Sequence, residues 1–147
     1  MSGLSRADLE ALLPHRSPFL LLDWAENFMP GKSLTGVMET RPDSPYFAGH
    51  FPGYPVLPGV LLIEAMAQTG AALTRKSENL DQGGGLLMLA IVESARFRAP
   101  VLPGMTLRLN VEQVSARRGL YRYSGAAEAE GKRVGEAVFS ALLVEPG

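Results

Sequence analysis

GVLLIEAMAQTGAALTRK, residues 59 to 76, is the stretch whose reading decides the fold. It is rich in leucine and alanine and free of proline, which favours helix, and Arg75 and Lys76 stand where cations suit a helix C-terminus. The pattern predicts a helix from Gly59 to about Lys76. Apolar residues lie on nearly every side, which marks a helix buried in the protein rather than laid on its surface. Something else in the chain must therefore wrap it.

The wrapping elements are expected on both sides. After the flexible DQGGG come LLMLAIVESARFRAPV, MTLRLNVEQVSARRG, LYRYSGAAEAEG and KRVGEAVFSALLVE. These read as four strands joined at Pro103-Gly104, Arg118-Gly119 and Glu130-Gly131, spaced as in an antiparallel meander. Leu107, Leu109 and Val111 alternate with Arg108, Asn110 and Glu112, so one face is apolar. Upstream, FLLLDWAENF and SLTGVMETR predict a hairpin about Pro30-Gly31-Lys32. Ser5 and Asp8 resemble a capping box, and Leu9, Leu12 and Leu13 give a short leading helix ending at Pro14. Prolines at 42, 45, 52, 55 and 58, with Gly49 and Gly53, make residues 42 to 58 an irregular loop. The expected architecture is α+β: one domain, a twisted antiparallel sheet curled around one apolar helix.

Composition narrows the function. At 147 residues, 46% hydrophobic and 20% charged, the chain is an ordinary globular one. A net charge of -1 gives no reason to expect nucleic acid, which usually requires a clustered positive excess. Zero cysteines remove thiolate nucleophiles, thiolate metal sites and disulfides together. MSGLSRADLEALLPHR has charges among its leucines and no continuous apolar run, so neither a secretory signal nor a membrane span is expected; the expectation is a cytoplasmic soluble protein. His15 and His50 are the only histidines and lack HExxH spacing, so no metal site is expected.

Glu64 interrupts the apolar helix. Burying a lone carboxylate costs several kcal/mol unless it is paired, hydrogen-bonded or protonated. One reading is structural: Gln68, four residues on, shares its helical face and could donate a hydrogen bond. The other reading comes from His50, held in a loop constrained by glycine and proline, with a side chain suited to proton transfer near neutrality. Between them Pro58 and Gly59 begin the helix, where free N–H groups can polarise a carbonyl and Gly59 admits close approach. A nitrogen base, an acid and a carbonyl-polarising amide can remove a proton beside a carbonyl and expel a hydroxyl one carbon further on. Hydrolysis would use the same parts differently.

PHRSPFLLLD (14 to 23), FAGHFPGYPVLPGVLLIEAMAQ (47 to 68) and FRAPVLPG (97 to 104) resemble the FabZ-type 3-hydroxyacyl-[acyl carrier protein] dehydratases of bacterial type II fatty acid synthesis. The blocks occur in the family's order and span most of the chain. The resemblance implies a hot-dog fold, dimers that assemble further into a trimer of dimers, and dehydration of carrier-bound 3-hydroxyacyl chains to trans-2-enoyl chains. It implies His50 as general base at the alpha carbon, Glu64 as the group that protonates or orients the departing hydroxyl, and the Gly59 amide as the thioester carbonyl site. It places His50 of one subunit opposite Glu64 of its neighbour. FabA-type dehydratase-isomerases carry Asp at the position of Glu64, so isomerisation is not implied. Ser17, Tyr54 and Met105 depart from the usual pattern, and none is an implied catalytic group.

Phe51, Val60 and Ile63 are candidates for the wall of a substrate tunnel. No metal or organic cofactor is implied, since the phosphopantetheine arm belongs to the carrier. Arg75, Lys76, Arg96 and Arg98 are candidates for docking the acidic carrier protein, although Arg96 and Arg98, alternating about Phe97, also suit a solvated face. Two alternatives stand beside dehydration: a hot-dog acyl thioesterase, and a non-catalytic acyl-binding partner subunit.

Overall fold

A computed structural model describes residues 3 to 80 and 85 to 145. The helix expected from residue 59 is α3 (Gly59–Ser77). Before it come α1 (Arg6–Leu12), β1 (Trp24–Met29), β2 (Ser33–Glu39) and α2 (Pro45–Ala48); after it come β3 (Leu86–Phe97), β4 (Thr106–Arg117), β5 (Leu120–Ala129) and β6 (Lys132–Val144). The six strands form one antiparallel sheet in the order β1-β2-β4-β5-β6-β3. It curls about α3 in the hot-dog manner. Most of the DQGGG link lies outside the described residues.

The order corrects the expected meander. β4, β5 and β6 do follow one another, because Arg118-Gly119 and Glu130-Gly131 each place two consecutive residues at positive φ, the geometry that matches the twist of adjacent strands. Pro103-Gly104 is no such turn. It ends an eight-residue connection, 98 to 105, which accepts Leu57 N–H at Val101 O and sends β3 to the far edge beside β6. The other edge is the hairpin β1-β2.

Two further expectations are refined. The segment Phe19 to Leu22 belongs to no strand; β1 begins at Trp24. The loop 42 to 58 contains the short helix α2, whose Pro45 fits a first turn that needs no N–H.

The core lies between α3 and the concave face of the sheet. Leu107, Leu109 and Val111 are buried there, as their alternation predicts. On the opposite face Arg108 pairs with Glu26 and Asn110 bonds Thr35. Helix and sheet meet closely: a Cβ on Gly36 would stand 2.3 Å from Thr69 Oγ1, and one on Gly125 2.7 Å from Met66 Sδ. α1 opens with the predicted capping box, in which Ser5 and Asp8 satisfy each other's backbone N–H. Leu9 and Leu13 are wholly buried and seat it on the core.

Within one protomer α3 is not covered all round. Its second half is buried from Gln68 to Arg75, but Val60 is 71% exposed and Ile63, Glu64 and Ala67 are half-buried. These four lie at i, i+3, i+4 and i+7, one stripe of the helix. β3 shares this openness: Met88, Leu89, Ile91 and Val92 are exposed and its outer edge pairs with no described strand.

Candidate active site

His50 is held as its sequence context predicts. It follows α2, whose Phe47 is buried, and its N–H donates to Phe47 O. Val56 N–H returns to His50 O at 2.8 Å, and Phe51 and Tyr54 exchange backbone bonds across the turn between them. The ring stacks on Phe51 with centroids 4.2 Å apart. Its Nδ1 lies 3.1 Å from Val56 O. A carbonyl can only accept, so Nδ1 carries the proton and Nε2 presents the lone pair. The loop therefore selects the Nδ1–H tautomer.

Gly59 opens α3 as expected, behind Pro58, which offers no side-chain acceptor to the first turn. Leu61 N–H turns back to Pro58 O at 2.9 Å, while the N–H groups of Gly59 and Val60 have no intrahelical partner. Gly59 also has a packing reason to be glycine: a Cβ would lie 3.0 Å from the ring of Phe97. Both residues border an apolar hollow of about 330 Å³ beneath the proline-rich loop, with Val56 and Leu57 in its wall.

Glu64 borders a different hollow, of about 280 Å³, between α3 and the beginning of β3. Its side chain is 37% exposed, so the deep burial read from its apolar neighbours does not hold within one protomer. Gln68 Nε2 donates to Glu64 Oε2 at 2.8 Å, the contact expected from their spacing. Gln68 is itself fully enclosed, giving Nε2–H to Phe19 O and accepting Leu21 N–H at Oε1. The non-strand course of residues 19 to 22 supplies those partners. His15, not singled out by the sequence reasoning for this role, also reaches the site: its Nε2 is 3.5 Å from Glu64 Oε2. Burial alone would push the Glu64 carboxyl up, but the His15 and Gln68 contacts outweigh it and hold the group below its usual range. Only a fold that brings residue 15 against residue 64 could show this, since forty-nine positions separate them.

Within one protomer no hydrogen bond or ion pair joins His50 to Glu64 among the described residues. Phe51, Val60 and Ile63 do not line the hollow at Glu64 either. The docking candidates also divide. Arg75 is 1% exposed and gives Nη1–H to Gly85 O at 2.6 Å, so it braces the start of β3 and cannot meet a carrier. Its place on the buried helical stripe overrides its charge. Lys76 is exposed, but lies 17 residues along α3 from Gly59, about 26 Å at the helical rise. Arg96 and Arg98 remain exposed beside Phe97 at the Gly59 end, with Arg98 engaged by Glu136 at 2.6 and 2.7 Å. Among the described residues no group of three His, Asp or Glu side chains could hold a metal ion, and no helix is long and apolar enough to cross a membrane.

Comparison with known proteins bears on the fold and the family. The dehydratase heterocomplex ApeI:P from Xenorhabdus doucetiae shares the fold with a TM-score of 0.80, over 93% of this chain and 91% of that one, at 20% identity. The TT0310 protein from Thermus thermophilus has a TM-score of 0.62 at 19% identity, covering 88% of this chain and 100% of that one. At such identities these likenesses show the fold alone. Sequence similarity goes further. A protein named 3-hydroxyacyl-[acyl-carrier-protein] dehydratase FabZ from Caulobacter vibrioides (strain NA1000 / CB15N) is 46% identical over 141 residues, 96% of this chain and 89% of that protein. One of the same name from Myxococcus xanthus (strain DK1622) is 47% identical over 134 residues, 91% and 88% of the two chains. A family model described as a FabA-like domain matches residues 13–138. With His50, Gly59 and Glu64 all inside the matched span, the chain belongs to the FabA-like family, among the FabZ-type 3-hydroxyacyl-[acyl-carrier-protein] dehydratases.

Proposed function

We propose that the protein removes water from 3-hydroxyacyl chains carried on acyl carrier protein, giving trans-2-enoyl chains, in type II fatty acid or related lipid synthesis in the cytoplasm. The observation that carries the mechanism is the bond from His50 Nδ1–H to Val56 O, which leaves Nε2 as a base. The thioester carbonyl lies on the first N–H groups of α3 at Gly59, so charge developing on its oxygen meets donors and the positive helix end. His50 Nε2 takes the proton from C2. The electron pair forms the C2–C3 double bond as the C3–O bond breaks. Glu64, held ionised by its neighbours, accepts a hydrogen bond from the 3-hydroxyl and orients it. The departing hydroxide takes the proton back from the His50 imidazolium, so water leaves and the base is restored.

The working unit in this reading is a homodimer. A twelve-residue edge strand with exposed Met88, Leu89, Ile91 and Val92 invites pairing with a second copy. The open stripe of α3 lies beside it. A second copy there would cover Val60 and Ile63, bring Phe51 to the tunnel wall and supply the His50 that Glu64 lacks in its own chain. Assembly of three such dimers is the further expectation. Arg96 and Arg98, exposed near Gly59, are the better-placed candidates to receive the acidic carrier.

The test is turnover of 3-hydroxyacyl carrier by the purified protein, read as enoyl product. His50→Ala and Glu64→Gln should each abolish it. Full activity in both variants overturns the mechanism, and release of free thiol without enoyl product would replace dehydration by hydrolysis.

A further inference from the structure

We propose that His15 is a positioning residue: with Gln68 it fixes the Glu64 carboxylate by one oxygen, Oε2, leaving Oε1 for the substrate, and the α1 segment serves to place it. The inference rests on the dehydratase reading for its effect on turnover, but the His15–Glu64 contact stands without it.

The placement is built in steps from the chain. The capping box of Ser5 and Asp8 starts α1, and the wholly buried Leu9 and Leu13 anchor it. Arg16 then turns back over the C-terminal end. Its Nη2 donates to Glu10 O at 3.0 Å, and its Nη1 to Leu13 O at 2.9 Å and His15 O at 2.7 Å. Carbonyls at a helix end lack intrahelical donors, so one guanidinium satisfies the end of α1 and fixes the backbone of His15 together. Pro14 restricts the residue before it as well. The imidazole is carried to the hollow, where its Nε2 meets Glu64 Oε2.

The ring's other nitrogen defines how it acts. Nδ1 is buried and has no hydrogen-bond partner among the described residues. A proton placed there would be buried without an acceptor. A carboxylate can only accept, so the proton belongs on Nε2, directed at Glu64. The Gln68 amide, at 2.8 Å, and the His15 ring, at 3.5 Å, thus converge on Oε2.

The groups around Glu64 leave His15 as its electrostatic control. Across the hollow β3 presents Leu86, Leu87, Met88 and Leu89, and residues 19 to 21 meet Gln68 through backbone atoms. The Arg16 guanidinium is turned to carbonyls. In the dimer proposed above, His50 of the second protomer is the remaining titratable group. Because Glu64 sits below its ordinary value, loss of His15 must raise it. A reaction needing the ionised carboxylate then loses activity on the acid side, and its acid limb moves to higher pH.

The experiment compares His15→Gln, His15→Asn and His15→Leu in the full chain, at matched protein concentration and oligomeric state. Gln can bring an amide to the place of Nε2; Asn stops at Nδ1, and Leu donates nothing. The Glu64 carboxyl is titrated by carbon NMR, assigned with Glu64→Gln, and kcat and KM are measured against pH. In Leu and Asn the Glu64 midpoint and the acid limb should both rise, kcat should fall about 10- to 100-fold, as misplacement of a site group does, and KM should change little. Gln should restore both toward wild type. An unmoved Glu64 midpoint in both Asn and Leu overturns the proposal, as does a Gln variant no better than Asn. Should wild type prove inactive as a dehydratase, the carboxyl titration alone decides the His15 contact.

Discussion

Replacing Gln68 with methionine keeps the side chain near its original volume and removes all three of its polar contacts. Gln68 is 1% exposed, and of its three partners Leu21 N–H lies wholly out of reach of water. Leu21 N–H, in a buried bond of 2.9 Å to Oε1, loses its acceptor, at about 1–3 kcal/mol for an orphaned buried group. Phe19 O and Glu64 Oε2 lose their donors at 2.7 and 2.8 Å, but both contacts are only part-buried and water can replace some of each. The sum is about 2–4 kcal/mol of a stability that for a domain totals about 5–15 kcal/mol. At about 2–4 °C per kcal/mol for a chain of this size, Tm should fall by roughly 5–15 °C. Circular dichroism melts at one fixed protein concentration read this directly, since association also shifts Tm. The same variant should raise the Glu64 midpoint, because a donor to its carboxylate is gone. A Tm within about 1 °C of wild type would show that Gln68 does not bind residues 19 to 21 to the helix, and the account of the site would fail.

Gly36→Ala sets a Cβ against Thr69 Oγ1, itself bonded to Ala65 O, and Leu22; urea denaturation should show a loss of about 1–3 kcal/mol, typical of overpacking. Ser5→Ala breaks the capping box and should cost about 1 kcal/mol, with a rise in the Glu64 midpoint if α1 holds His15. The Tyr123 phenol is pushed up by burial, only partly offset by its bond to Thr74. The folded protein keeps that proton after the unfolded chain loses it near pH 10, so stability is full below that point and falls as pH rises above it. Tyr123→Phe should be weaker at neutral pH by about 1 kcal/mol yet decline less steeply above pH 10, with some slope left by Tyr121, also pushed up by burial and Glu78. Arg98→Ala breaks an exposed pair with Glu136 and should change stability by less than about 1 kcal/mol; if Arg98 receives the carrier, KM for carrier-bound substrate should rise and lose part of its salt dependence.

Much of this was legible along the chain because it depends on near neighbours. The 59 to 77 helix, the Ser5–Asp8 cap, the two tight turns at Arg118-Gly119 and Glu130-Gly131 and the 64–68 contact all involve residues within a few positions of one another. Short separations make local chemistry decisive. His50, Gly59 and Glu64 stand out as candidates along the chain for the same reason, by their residue types in a constrained loop, at a helix start and on an apolar helix.

Tertiary structure alone decided the position of β3 at the far edge, the burial of Arg75, the openness of the helical stripe at Val60 and Glu64, and the approach of His15 to the carboxylate. Each depends on which distant segments the folded backbone sets side by side. Hydrophobic burial drives that choice without direction or regard to sequence separation, so an arginine can be enclosed and a glutamate left open on a helix whose composition suggests the reverse.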